Sequence, residues 1–263
     1  MTDSAALEPW IRSAAFVAVA ATLLLAEALA PQGPRRPLNT RLPNIAIFFG
    51  NTLLSRLLGA GSLIAVSVLA AVRGVGLFNM IDLPPWLEGA VALVALDFAM
   101  YLQHRLLHIA PPLWRLHAVH HSDTAFDVTT GVRFHPGEMI VSFGLKALAV
   151  VVLGAAPWSV LVFETLLSSA ALFTHANIAL PRGVDRILRS GVVTPDMHRS
   201  HHSARPAEHN TNFGFLLSCW DRWLGTYCAA PESPARLRIG LDSFRAAGQQ
   251  TFTALLMQPV LRR

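Results

Sequence analysis

Five stretches of the chain are apolar over a length close to that needed to cross a lipid bilayer. A membrane-spanning helix requires about 20 predominantly apolar residues. The stretches cover residues 11–30, 45–72, 86–102, 139–155 and 158–173. The second is long enough for a tilted or broken helix, and Gly59 and Gly61 mark where it could break. The short segment 154–157 joins the last two, which predicts a tight helical hairpin.

The long apolar runs stop after Pro181. Residues 182–263 are polar and rich in arginine, and they predict a cap of short helices. These patterns predict an all-α integral membrane protein with about four to five transmembrane helices. We divide the chain into N-terminal membrane helices, residues 1–85, and a region of membrane helices plus cap, residues 86–263, which together form one structural domain.

The composition supports a membrane protein. Hydrophobic residues make up 53% of the chain and charged residues 14%, and the mean hydropathy is +0.45. A soluble domain carries about 25% charged residues. The net charge of +5 comes from arginine, because Lys146 is the only lysine. No basic stretch is interleaved with aromatic residues, so a nucleic acid partner is not expected. In a membrane protein an excess of arginine is instead typical of loops on the cytoplasmic side.

Neither the two cysteines nor the N-terminal sequence predicts covalent processing of the chain. Cys219 and Cys228 form neither a CxxC pair nor a disulfide framework. The first apolar stretch ends in a small-residue sequence typical of a signal-peptidase site. However, Asp3 and Glu8 outweigh Arg12 ahead of it, whereas a signal peptide begins with a positive region. We therefore expect a retained transmembrane helix.

Arginine placement predicts the orientation. The loop at 31–44 carries three arginines, whereas in the loop at 73–85 Arg73 and Asp82 cancel. Counting spans places 31–44, 103–138 and 182–263 on one side, and the positive-inside rule makes that side cytoplasmic. The expected location is the cytoplasmic membrane, if the protein is bacterial.

Histidines cluster in two short windows that fall on this predicted cytoplasmic side. Eight of the eleven histidines of the chain lie there: His104, His108, His117, His120 and His121 in the first window, and His198, His201 and His202 in the second. Residues three and four apart share one face of a helix, and imidazole binds iron, zinc and copper. The spacing favours a dinuclear metal site in the cytoplasmic helical cap over histidines on solvated surfaces. His175, at the end of the last span, is a further candidate ligand.

Two residues lie on the same predicted helical stripe as His104 and His108. Asp97 is a carboxylate that fixes the orientation of metal-bound histidines or, alternatively, pairs with an arginine such as Arg105. Tyr101 is a candidate catalytic group or an interfacial anchor.

Three other polar residues are open to several interpretations. Glu164 lines a substrate cavity or pairs with Lys146 or Arg56, because a carboxylate inside a membrane needs a functional or electrostatic reason. His135 is a candidate metal ligand or a structural residue. His209 lies in a polar loop and is expected to face solvent.

Over roughly residues 90–227 the chain carries a series of motifs whose order resembles that in the fatty acid hydroxylase/sterol desaturase superfamily. The motifs that carry the resemblance are Asp97-x3-Tyr101-x2-His104-Arg105-x2-His108, His117-x2-His120-His121-Ser122, Arg133-Phe134-His135-Pro136, His175-Ala176-Asn177, His198-Arg199-x-His201-His202-Ser203, Asn212-Phe213-Gly214 and Trp220-Asp221-Arg222-x2-Gly225-Thr226. A set of linked motifs is more specific than any one of them.

The resemblance implies a membrane-bound non-haem di-iron oxidoreductase. Such an enzyme uses two iron ions (Fe) and dioxygen to hydroxylate or desaturate C–H bonds of a lipid, and zinc is a possible substituted metal. The resemblance implies nine ligands: His104, His108, His117, His120, His121, His175, His198, His201 and His202. One histidine near 175 replaces the pair found in fatty acid 2-hydroxylases, which argues against that activity. Whether His135, Asn177 or water completes the coordination is open, and the resemblance makes Asn177, like Asp97 and Tyr101, a candidate catalytic residue.

The resemblance also implies partners. The substrate is a lipid of sterol, alkylglycerol, carotenoid or fatty-acyl type, held in the lipid bilayer. Electrons come from a separate donor protein, a reductase, cytochrome or ferredoxin, because no redox domain is recognisable in the sequence.

Two other classes of function compete with this interpretation. A membrane zinc-dependent lipid hydrolase needs a general base, and Glu138 is the nearest candidate, but no H-E-x-x-H motif is present. A metal transporter needs ionisable residues in the middle of several membrane helices, whereas the histidines gather near the predicted cytoplasmic ends.

Overall fold

The computed structural model of the protein describes residues 3–57 and 62–261, and in these residues it is helical without a β-strand. The α-helices are α1 (Asp3–Leu29), α2 (Leu38–Leu57), α3 (Leu63–Val72), α4 (Pro85–Ile109), α5 (Pro111–His121), α6 (Pro136–Leu153), α7 (Pro157–Thr174), α8 (Arg182–Gly191), α9 (Pro195–His201), α10 (Pro206–His209), α11 (Cys219–Trp223) and α12 (Phe252–Met257). Short 3-10 helices occupy Leu77–Asn79, Val128–Val132, Pro234–Arg236, Ala247–Gln250 and Gln258–Val260.

Four of the described helices are long and apolar enough to cross a membrane. They contain the segments Pro9–Leu29, Pro85–Ile109, Pro136–Leu153 and Pro157–Thr174. Each coincides with one of the predicted spans, so the prediction of an all-α integral membrane protein is confirmed. The helix containing Pro85–Ile109 runs about two turns beyond the predicted end at residue 102, because the sequence there contains no glycine or proline.

The stretch 45–72 forms two helices, α2 and α3, rather than one span. Gly59 and Gly61, where the break was predicted, lie outside the described residues. The helix α2 is only partly apolar, because Asn44 and Asn51 lie on its buried face. The helix α3 has ten residues, and its first turn is capped by the Ser62 hydroxyl, which accepts a hydrogen bond from the Ile64 N–H.

The core of the membrane region lies between α3, α4, α6 and α7, where Leu96, Val150 and Phe163 are buried. The predicted hairpin between α6 and α7 is present: α6 ends at Gly154, whose φ of 67° suits a residue without a side chain. Gly89 allows close contact between α4 and α7, because a Cβ atom there would lie 2.0 Å from the Trp158 ring.

The ends of the membrane helices identify which segments share a side. Pro31 and Ile178 form an isolated bridge, and the Ala179 N–H donates to the Ala30 carbonyl, so α1 and α7 end together. Gly76 packs against Gly154, where an added Cβ atom would lie 2.3 Å from the backbone. The connection before α4 therefore lies beside the α6–α7 hairpin, at the opposite end from the ends of α1 and α7.

Candidate metal centre

Four elements carry the clustered histidines to one end of the bundle. The last turns of α4 present His104 and His108, and α5, which begins at Pro111, carries the next three histidines. His175 lies directly after α7, and α9 with the residue that follows it carries the last three. These elements all end or begin on the side where α1 and α7 end, as the arginine pattern predicts.

Nine histidines form two adjacent groups in which one ring nitrogen of each lies within 4.8 Å of the others. The first group is His104, His108, His117, His121 and His201, and the second is His120, His175, His198 and His202. All nine side chains are buried. Each H-x-x-H-H motif contributes to both groups, so neither motif forms one group by itself.

Hydrogen bonds fix the ring orientation in the first group. The Nδ1 of His104 lies 2.8 Å from the Phe213 carbonyl oxygen, and that of His201 lies 2.6 Å from the Thr211 carbonyl oxygen. A carbonyl oxygen only accepts hydrogen bonds, so each Nδ1 carries the proton. Each Nε2 therefore presents a lone pair to the interior of the group.

These lone pairs face one another at distances that fit a bound cation. The His104 Nε2 lies 3.0 Å from the His201 Nε2 and 3.1 Å from the His117 Nε2. Two lone pairs cannot form a hydrogen bond, whereas ligands about 2.1 Å from one ion and at right angles to each other lie about 3.0 Å apart. Both ring nitrogens of His121 and the Nε2 of His108 are buried without a hydrogen-bond partner among the described residues. The donor set therefore fits a metal ion.

The second group is organised around His175. Its Nδ1 donates to the Ala171 carbonyl oxygen at 2.6 Å, and its Nε2 lies 3.1 Å from the Nε2 atoms of His120, His198 and His202. Burial lowers the pKa of His175 to about 4 and holds the pKa of His198 well below its ordinary value. At neutral pH these imidazoles are uncharged, which is the form that binds metals.

Glu138, which was expected only as the base of a competing hydrolase, contacts the first group. Glu138 lies in the first turn of α6, and its Oε1 accepts a hydrogen bond from the His117 Nδ1 at 2.7 Å. A carboxylate behind a histidine ligand fixes its tautomer and raises its basicity. The sequence did contain one signal of this role, because Glu138 follows His135-Pro136, where a helix begins beside a histidine motif.

Asp97 acts on the site through a loop rather than through a histidine. Its carboxylate accepts hydrogen bonds from the backbone N–H groups of Leu216 and Leu217, both at 3.1 Å, and from the Trp220 indole at 2.8 Å. Asp221 holds the N–H groups of Phe213 and Gly214 in the same loop. The two aspartates therefore fix the loop whose Phe213 carbonyl orients His104.

Tyr101 belongs to the same supporting layer. It is buried, and its hydroxyl lies 2.9 Å from the Thr226 hydroxyl. Thr226 in turn donates to Asp221. These contacts give Tyr101 a positioning role beside His104.

Two predicted site residues lie outside both histidine groups. The His135 Nδ1 accepts from the Gly137 N–H, and its Nε2 lies 3.3 Å from the Leu256 carbonyl oxygen, so neither nitrogen has a lone pair left for a metal. Asn177 accepts from the Gly33 N–H and from Arg199. We therefore leave both out of the ligand set: His135 caps α6, and Asn177 connects the end of α7 to the segment after α1.

The expectation that His209 faces solvent is wrong. Its side chain is 7% exposed, its Nδ1 lies 3.1 Å from the Ser203 carbonyl oxygen, and its ring stacks on Trp114. The short helix α10 folds back onto the first group and buries this ring about 6.1 Å from His121, between ring centroids. A polar sequence around a residue does not show that the chain folds back there and buries the residue.

The intramembrane carboxylate Glu164 forms ion pairs. Its Oε2 lies 2.9 Å from Arg12 of α1 and its Oε1 lies 3.9 Å from Lys146 of α6. The pairing with Lys146 was one of the predicted alternatives, whereas the second cation is Arg12 rather than Arg56.

The fold and the site together define an integral membrane protein with a buried, histidine-rich candidate metal centre at one end of its helices. The chain belongs to the fatty acid hydroxylase family, whose model matches residues 89–226, just over half of the chain. This match confirms the resemblance inferred from the motifs.

Several characterised proteins are similar to this chain. It is 35% identical over 180 residues to ornithine lipid hydroxylase OlsE of Rhizobium tropici, covering 68% of this chain and 52% of the relative. It is 28% identical to alkylglycerol monooxygenase of Danio rerio, over 59% of this chain and 34% of that protein. It is 27% identical to cholesterol 25-hydroxylase of Rattus norvegicus, over 61% and 53% respectively. The chain thus spans about half or less of the length of these relatives, and no solved structure matches it.

Proposed function

We propose that the protein is a membrane-bound lipid hydroxylase with a non-haem di-iron centre. It would use dioxygen and external electrons to insert oxygen into a C–H bond of a lipid. Hydroxylation is favoured over desaturation because the three relatives above are named as hydroxylases or a monooxygenase. The candidate substrates are lipids of the sterol, alkylglycerol, carotenoid or fatty-acyl type, and the similarity to an ornithine lipid hydroxylase adds the ornithine-lipid type.

The observation that carries the proposal is the division of nine buried histidines into two adjacent groups. One structural metal ion needs four ligands, so nine converging imidazoles provide for two ions. Two bound iron ions would supply the activation of dioxygen and the removal of hydrogen from an unactivated C–H bond, which side-chain acids and bases cannot perform.

The protein's own residues would hold and orient this centre. Glu138 and the carbonyl oxygens of Phe213, Thr211 and Ala171 accept from Nδ1 atoms and leave the Nε2 atoms free for metal. The cap and the ends of the helices bury the histidines, which keeps water from the reacting carbon.

The competing functions have less support from the geometry. A catalytic zinc ion commonly uses three protein ligands, whereas nine buried imidazoles converge here and Glu138 accepts from the Nδ1 of one of them through its Oε1. A transport path would place ligands along the membrane, whereas both histidine groups lie at one end of the helices. The proposed partners are a lipid substrate and a separate electron-donor protein on the cytoplasmic side.

The proposal is tested by metal content and product together. The purified full chain, loaded with iron, should contain two metal ions per chain by elemental analysis. In proteoliposomes with a reductant and isotopically labelled dioxygen, mass spectrometry should detect lipid carrying one labelled oxygen atom. Replacing His120 or His202 by alanine should abolish the product while the protein stays in the membrane, and replacing the exposed Arg238 by alanine should not. One metal per chain, or no oxygenated lipid among candidate lipids, would refute the proposal.

A further inference from the structure

An apolar groove lies between α1 and α7 at the depth of the membrane-spanning segments. The two helices pack side by side, and the groove between them encloses a volume of about 450 Å³. Ala18 and Thr22 of α1 and Ser169 and Ala170 of α7 form part of its walls. Both walls belong to helices long and apolar enough to cross a bilayer, so the groove opens toward lipid tails rather than toward water.

The groove offers no free polar group along these walls. The Thr22 hydroxyl donates to the Ala18 carbonyl and the Ser169 hydroxyl donates to the Thr165 carbonyl, in both cases at 2.8 Å within their own helices. The other residues of the walls are apolar. A polar head group would find no hydrogen-bond partner here, whereas a hydrocarbon chain has no hydrogen bonds to lose on entering.

The inner end of the groove adjoins both histidine groups. Its lining there includes Phe173, Val193 and Phe215. Phe173 lies two residues before His175, and Val193 precedes Thr194, whose carbonyl accepts from the His198 N–H. The Phe215 ring lies 5.0 Å from the His104 ring, between centroids. The end of α7 and the segment that begins α9 therefore each supply both a wall of the groove and a candidate ligand, and Phe215 joins the groove to the ring of a third.

We propose that this groove takes up the hydrocarbon chain of a membrane lipid and that Phe215 sets which carbon reaches the metal centre. The occupant is a lipid tail from the bilayer, because the groove is apolar, lies at bilayer depth and ends at the histidines. The Phe215 ring lines the inner end of the groove and contacts the His104 ring. The role of Phe215 in choosing the carbon rests on the proposed function, whereas the binding of a chain in the groove does not.

Binding is tested without turnover, using the metal-loaded protein without reductant. The probe is a phosphatidylcholine with a photoreactive diazirine near the end of one acyl chain. Val193 is 2% exposed, so label found on Val193 or Phe215 reports a chain inside the groove rather than bulk lipid. Ala170→Trp fills the groove, and a well-filled cavity resists further insertion, so labelling of these two residues should fall roughly tenfold.

The matched control is Leu148→Trp, which adds the same ring to a bilayer-facing position of α6 that is 60% exposed and outside the groove. Its labelling should equal that of the unchanged protein, and metal content should be equal in all three proteins. Equal labelling in Ala170→Trp and the unchanged protein, or no label on Val193 and Phe215, would overturn the groove assignment. Label in the groove without any oxygenated lipid would refute the proposed function alone.

Phe215 is tested by the position of the product. Phe215→Ala should move the hydroxyl group along the chain by one or more carbons, and Phe215→Leu should give an intermediate distribution. A merely structural role would lower the rate without changing the position. An unchanged product distribution in Phe215→Ala, at normal metal content, would overturn the assignment of Phe215.

Discussion

The carboxylate of Glu138 fixes the tautomer of one candidate ligand. It accepts from the His117 Nδ1 at 2.7 Å inside a buried pocket. The proton is thereby held on Nδ1, and the Nε2 lone pair points at His104. Losing this acceptor would free the imidazole to rotate or to exchange its proton position.

We expect Glu138→Ala to weaken metal binding by about 10-fold to 100-fold, the usual effect of removing the partner of a ligating histidine. Glu138→Gln keeps an oxygen acceptor, so its loss of metal affinity should be intermediate. The measurement is metal retained against a series of chelator concentrations. The control is Glu88→Ala, which removes an acceptor for the Ala156 N–H at the other end of the bundle and should retain metal normally. Equal retention in Glu138→Ala and Glu88→Ala would contradict the role of Glu138.

Tyr101→Phe tests whether a predicted catalytic hydroxyl takes part in the reaction. The substitution removes the hydrogen bond to Thr226, a loss of about 1 kcal/mol of stability, and keeps the ring packing. We expect turnover within about threefold of the unchanged protein, because a bond of this size perturbs the loop only slightly. A loss of turnover as large as that in His104→Ala, at full metal content, would show that the hydroxyl acts in the chemistry.

Single residues differ in how far the sequence predicts their roles. Eight of the nine grouped histidines could be chosen because steps of three and four bring residues to one helix face, a local property, and His175 could be chosen from its place at the end of the last span. Glu138 was missed as a partner of His117, since their contact joins two helices across 21 positions. His135 was included for its place in a motif, yet Gly137 and Leu256 occupy its ring nitrogens. Long-range contacts of this kind have no signature in one sequence.

Among the structural elements, the loop between residues 211 and 217 connects the membrane bundle to the first histidine group. Asp97 of α4 and Asp221 of α11 accept four of its backbone N–H groups. The loop in return supplies the carbonyl acceptors for His104 and His201. Both aspartates are buried, so each is stable only with its hydrogen-bond donors in place.

We expect Asp97→Ala to lower both stability and metal affinity. It leaves two backbone N–H groups and the Trp220 indole without their acceptor, at a cost of about 1–3 kcal/mol for each unsatisfied group. Asp97→Asn keeps part of the set of hydrogen bonds, so its losses of stability and metal affinity should be smaller. Thermal unfolding in detergent, together with elemental analysis, measures the effect.

Asp242→Ala is the matched control, because its ion pair with Arg238 is exposed and contributes little. If Asp97→Ala unfolds at the same temperature as Asp242→Ala and keeps its metal, the loop does not depend on Asp97.

The helices could be predicted to different extents. The four membrane spans follow from long apolar runs, which any bilayer-crossing helix must have. The helix α2 was counted within the apolar stretch 45–72, but it is not one of the four spans because its inner face is polar: Asn44 donates to Asp123 and Asn51 donates to the Phe134 carbonyl. These acceptors come from elsewhere in the chain, so only the folded structure shows why a polar face is tolerated there.

At the scale of the whole molecule, buried ion pairs join the N-terminal helices to the region that carries the histidines. Arg36 lies 2.8 Å from Asp123, and Arg41 lies 2.7 Å from Asp127. Despite the opposing effect of burial, Arg133 and Arg36 hold the pKa of Asp123 below its usual value. These pairs are a reason to treat residues 1–85 and 86–263 as one domain, which stays a prediction.

The orientation of the molecule decides which compartment supplies its electrons. The cap and both histidine groups share one end with the arginine-bearing loop at 31–44, whereas the connection that carries Arg73 and Asp82 lies at the other end. Retention of positive segments predicts that the cap faces the cytoplasm. Two exposed residues report the two ends: Asp242 in the cap, with 72% of its side chain exposed, and Met80 at the opposite end, which is 78% exposed.

In bacterial cells producing a variant in which Cys219 and Cys228 are replaced by serine, we expect Met80→Cys to react with a membrane-impermeant thiol reagent. Asp242→Cys should resist it until the cells are permeabilised. The reason is energetic, because the arginine-rich cap is costly to translocate. Gly76 is unsuitable as the outer probe, since any side chain there would collide with Gly154. The reverse labelling pattern would invert the orientation and place the metal centre outside the reach of cytoplasmic electron donors. Labelling of both positions in intact cells would contradict the arrangement of the helix ends itself.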